Sequence, residues 1–147
     1  MSIFPFINPE VLEAAQTELP LFREYAYDFE NNRLLLRDGK TYLVEGNEAL
    51  RIWIVKALAT ERFRYIAYDP DYGSEIDTLV GGQVNSDIAK SELKRFIIEA
   101  LMVNPYIEEL SNFKFSQSGS GVTAEFDCTT VYGKEQITWE AKGVNIA

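Results

Sequence analysis

The stretch "GVTAEFDCTTVYG", Gly121 to Gly133, constrains the fold more than any other part of the chain. Val122, Ala124, Phe126 and Cys128 alternate with Thr123, Glu125, Asp127 and Thr129. Residues two apart share a face of an extended chain, so this is a half-buried strand, apolar on one side and polar on the other. It needs strand neighbours and a cover for its apolar side. The flanking "NFKFSQSGSG" and "KEQITWEAKG" supply the neighbours, with Gly119 and Gly121 at the turn, and two or three antiparallel strands are expected in this tail.

Two helices can supply the cover. From Asn47 to Thr60, Leu50, Trp53, Ile54, Ala57 and Leu58 recur at spacings of three and four, the stripe of an amphipathic helix. Asn85 or Ser86 caps a second helix running to about Val103, with Leu93, Phe96, Ile97, Ala100 and Leu101 on one face, and Asn104-Pro105 closes it. Nearer the amino terminus, Asn8 followed by Pro9 predicts a short helix over residues 9–17, ended by Pro20. "REYAYDFENNRLLLRDGKTYLVEG" reads as two or three short strands with turns at Asn31-Asn32 and Asp38-Gly39. "RFRYIAYD" reads as a strand stopped by Pro70. The expected fold is α+β: a small mixed or antiparallel sheet with two main helices packed on one face. A single domain over 1–147 is expected, with 1–45 an amino-terminal helix and strand extension and no internal repeat or linker.

Several function classes drop out on chemistry. The net charge of −9 over 147 residues repels phosphate backbones and anionic lipid, so neither a nucleic-acid nor a membrane partner is expected. With no histidine, Ser-His, Cys-His and His-metal chemistry are all missing. Cys128 is the only cysteine, which rules out an internal disulfide and a thiolate zinc site within one chain; it reads as a small buried hydrophobe. "MSIFPFINPE" has no signal-peptide pattern and "IWIV" is far too short to span a bilayer, so a cytoplasmic protein is expected.

One acidic stretch invites a sharper reading. "YDPDYGSEIDTLVGG" places Asp69, Asp71, Glu75 and Asp77 at near-alternate positions around Gly73. A calcium loop would need an oxygen ligand, a glycine and a glutamate at its fifth, sixth and twelfth positions; here those are Gly73, Ser74 and Val80. A carboxylate-only glycosidase would need two acids across a cleft, with Glu75 and Asp77 the candidates. The third reading is a structural turn with solvated acids. The aromatics, Trp53 and Trp139 among them, read mostly as core or interface. A short sheet with unpaired edges can accept a strand from another chain.

Three pieces together, "YDPDYGSEIDTLVGG", "SELKRFIIEALMVNPYIEEL" and "GVTAEFDCTTVYG", resemble the small baseplate wedge protein family of contractile phage tails, in particular the XkdS-like branch of PBSX-type prophages. The likeness covers about Glu45 to Gly133, with the amino-terminal strands as a branch feature. It implies that Asp71, Tyr72 and Gly73 form a structural turn. It also implies that Asn104, Pro105 and Tyr106, followed by Ile107, stand where the family has a glutamate-proline-arginine contact to the wedge core; the proline is kept and both charges are absent. The implied role is structural and non-enzymatic, with tail sheath and baseplate wedge proteins as partners and strand addition templating the first sheath ring. Assembly in a bacterial cytoplasm followed by residence in the tail baseplate goes with it. No catalytic residue, metal, cofactor or small-molecule ligand is implied, although some members carry a lysozyme label, which keeps the glycosidase reading open.

Overall fold

The computed structural model describes residues 19–64, 67–81 and 86–146, so the helix expected over 9–17 lies outside the described residues. Six short strands come first. β1 (Arg23–Tyr25) pairs with β6 (Leu43–Glu45), β2 (Tyr27–Asp28) with β3 (Arg33–Leu34), and β4 (Leu36–Arg37) with β5 (Lys40–Thr41), all antiparallel. The pairing changes at Ala26, 2% exposed, whose N–H donates to the Tyr42 carbonyl and whose carbonyl accepts from Leu35, both at 2.9 Å. That switch is why two or three expected strands become six. Asn32, Asp38 and Gly39 take φ values of 51, 52 and 77°, the left-handed angles that Asn, Asp and Gly tolerate in tight hairpins.

α1 (Gly46–Ala59) buries Leu50, Ile54, Ala57 and Leu58, and α2 (Ser86–Leu101) buries Leu93, Phe96, Ile97, Ala100 and Leu101, as their periodicity predicts. Neither is long and apolar enough to cross a membrane. α2 stops at Leu101, two residues short of expectation. There the chain tightens, with the Asn104 N–H donating to the Leu101 carbonyl and the Ile107 N–H to that of Asn104. Between the helices the strand expected over "RFRYIAYD" is not formed by its described residues, which lie in turns, bends and irregular chain. Phe63 sits at φ 69°, which interrupts an extended run, and among the described residues the neighbouring pairing is one isolated bridge, Glu61 with Ser74. A 3-10 helix, Ile76–Leu79, follows that no pattern in the sequence announced.

The tail forms a three-stranded antiparallel sheet in the order β7 (Ile107–Ser118), β8 (Gly121–Thr130), β9 (Gly133–Lys142). One hydrophobic cluster joins Val122, Ala124, Phe126 and Cys128 of β8 to residues of both helices and to Ile137 and Ala141 of β9. Full burial of a side chain such as Phe126 contributes about 1.5–3 kcal/mol. The opposite face of β8 is polar: Asn112 donates to the Asp127 carboxylate at 2.7 Å, and Lys134 lies 3.4 Å from it. The content is thus α and β with two helices, but the expected single sheet is replaced by four small antiparallel ones among the described residues. All four are antiparallel, the antiparallel alternative of that expectation.

Candidate functional site

The acidic stretch is tied down at its centre. The Tyr72 N–H donates to the Asp69 carbonyl and the Asp71 N–H to the Asp69 carboxylate, both at 2.9 Å, the pattern of an Asx turn. Arg62 bonds the Pro70 carbonyl at 2.8 Å and lies 3.5 Å from Asp71. Gly73 has φ 101°, and a Cβ there would stand 2.8 Å from the Thr60 carbonyl oxygen, so glycine lets the turn press on the end of α1. Buried Ser74 donates to the Leu58 carbonyl at 2.8 Å. Tyr72 packs edge-on against Trp53 and beside Tyr68, and burial raises its hydroxyl pKa.

Asp69, Asp71 and Asp77 are exposed, Glu75 is half-buried, and the described residues contain no group of three or more acids, histidines or cysteines placed to hold a metal. Of the glycosidase pair, Asp77 lines a recess beside α1 whose walls do not include Glu75.

Asn104, Pro105 and Tyr106 do come together, but two of their side chains point inward. The Asn104 side-chain oxygen accepts from the Tyr106 N–H at 2.9 Å. The Tyr106 hydroxyl donates to the Pro20 carbonyl at 2.7 Å, and its ring meets Phe22 and Tyr132. Tyr132 in turn accepts from the Phe22 N–H. This corner straps residues 20–22 to the β8–β9 turn and leaves Pro105 at the surface among exposed Leu21, Met102, Val103 and Val131.

The larger feature is the outer edge of β9, unpaired over its length among the described residues and bounded just beyond it by the Val80–Val144 bridge. Its ten pairs with β8 run unbroken from Thr130–Gly133 to Gly121–Lys142, whereas the other edge strand, β7, has two register shifts, a device that spoils an edge for pairing. Because Thr130 and Gly133 close a two-residue turn, ladder alternation directs the N–H and C=O groups of Lys134, Gln136, Thr138, Glu140 and Lys142 away from β8. Two recesses, of about 500 and 810 Å³, open along this edge and share Phe29 and Val55. They take consecutive residues 136–138 and 139–142, as a strand edge does, with Ile52 and Val55 of α1 and Phe29 of the β2–β3 hairpin as the other walls.

The model for contractile injection system sheath initiators matches residues 23–133. The chain belongs to the sheath initiator family. This sheath-initiator chain is also 29% identical over 138 residues to Phage-like element PBSX protein XkdS of Bacillus subtilis (strain 168), covering 93% of this chain and 94% of the relative. A structural role in a contractile phage tail follows. The match begins at Arg23, the first residue of β1, and so takes in the short strands. The walls at Phe29 and Val55 escaped sequence reasoning. The alternation of Ile137, Trp139 and Ala141 with Gln136, Thr138 and Glu140, bounded by Lys134 and Lys142, was the available sign of an edge strand.

Proposed function

We propose that this chain starts sheath assembly in a contractile tail by accepting a strand of the tail sheath along β9, while the surface around Pro105 seats it on wedge proteins of the baseplate. The reading has no catalytic step and places the working protein in the tail particle. Its main support is the uninterrupted β9 edge opening onto a recess. A strand laid there would extend the sheet, put alternate side chains onto Ile52, Val55 and Phe29, and gain main-chain hydrogen bonds with little demand on sequence. Family membership supplies the sheath as partner. For the second surface, Met102, Val103 and Val131 around Pro105 suit an apolar contact in place of charge pairing.

Proline substitution separates the two sides of β9. Thr138→Pro removes an outward N–H and is expected to leave the thermal midpoint near that of the parent while abolishing co-sedimentation with co-expressed sheath protein. Ile137→Pro removes a bond to β8 and is expected to unfold the sheet. Sheath recovery by Thr138→Pro equal to the parent's would rule out strand addition at β9.

A further inference from the structure

Main-chain hydrogen bonds do not read sequence, so a strand on β9 could slide by two residues and keep nearly all of them. Register has to come from side chains, and the two halves of the recess differ. Beside Gln136–Thr138 the walls are Tyr27, Phe29, Ile52 and Val55, with one acid and one base, Glu48 and Arg51, and Arg51 is already paired with Glu135. Beside Trp139–Lys142 stand Glu30, Glu61, Asp77 and Glu140, with Lys142 the one base in that wall. Glu61 pairs with Arg64, whereas Glu30, Asp77 and Glu140 enter no ion pair among the described residues. Trp139, in the same wall, lies half-buried against the hydrophobic cluster and offers an apolar anchor. A cleft in which one sign of charge predominates, here four acids to one base, on apolar walls concentrates the field along its length.

We infer that the segment received by β9 is an extended strand of alternating apolar and polar residues with lysine or arginine at the end lying over Trp139–Lys142, and that this charge match fixes its register. The inference rests on strand addition at β9. The test uses fluorescent ten-residue peptides of alternating valine and threonine, carrying two lysines at one terminus or the other, two glutamates, or no charge, titrated into the full chain. One lysine peptide should bind about tenfold tighter than the neutral one, and the gap should close at roughly 0.5 M salt. The double variant Asp77→Asn, Glu140→Gln should close it at low salt too. Equal binding by all peptides, with the outward β9 amides protected from exchange, would overturn the charge match and leave strand addition standing. Failure of every peptide to protect those amides would remove both.

Discussion

Gly73 and Gly39 both have positive φ, 101 and 77°, yet they differ in surroundings: a Cβ at Gly73 meets the Thr60 backbone, while at Gly39 nothing lies within 4 Å. Gly73→Val is therefore expected to lower the unfolding free energy by about 2–4 kcal/mol and Gly39→Ala by about 1–2 kcal/mol in urea titrations. Equal losses would show that the close approach to α1 carries no weight. Cys128 is buried in β8, which pushes its thiol up to about 11. It should resist thiol reagents at neutral pH until the protein unfolds; rapid labelling of native protein would contradict its packing. At Asp127 the hydrogen bond from Asn112, with Lys134 nearby, holds the carboxyl below its ordinary 3.8. A lowered folded value stabilises above the unfolded value and is lost as pH falls through the folded one. Asp127→Asn should thus flatten the decline of thermal midpoint below about pH 4; curves parallel to the parent's would argue against it.

Among the elements, both helices and β8 were legible because burial on one side imposes a period, 3.6 or 2, that survives in a single sequence. "RFRYIAYD" misled because aromatic and aliphatic content reports strand propensity, while the left-handed φ at Phe63 and the closure of Glu61 on Ser74 are set by packing of the glycine turn against α1. The partner change at Ala26 left no pattern, since each ladder it joins is only two or three residues long. The main hydrophobic cluster contains no residue of these six strands. Replacing the exposed β4–β5 hairpin, Leu36–Thr41, by a short glycine-serine turn should leave the thermal midpoint nearly unchanged, whereas Phe126→Ala should cost about 3–5 kcal/mol. A collapse of the fold on removing the hairpin would mean that it holds the core together.

For the whole molecule, the sequence pointed to the right kind of assembly and to less of the surface that serves it. Asn104 and Tyr106 could be named from a motif, but only the bond of Asn104 to the Tyr106 N–H and the contacts of Tyr106 with Pro20, Phe22 and Tyr132 reveal that they work inward and leave Pro105 outside. Trp139 and Phe29 line one recess although 110 positions separate them, and no local pattern encodes such a meeting. The most direct measurement is hydrogen–deuterium exchange on the full chain, alone and bound to its co-expressed sheath protein. Strand addition predicts slowed exchange at the outward amides of Gln136, Thr138 and Glu140, with β7 unchanged. Protection confined to β7 or to the helices, with those three amides exchanging as in the free chain, would contradict it.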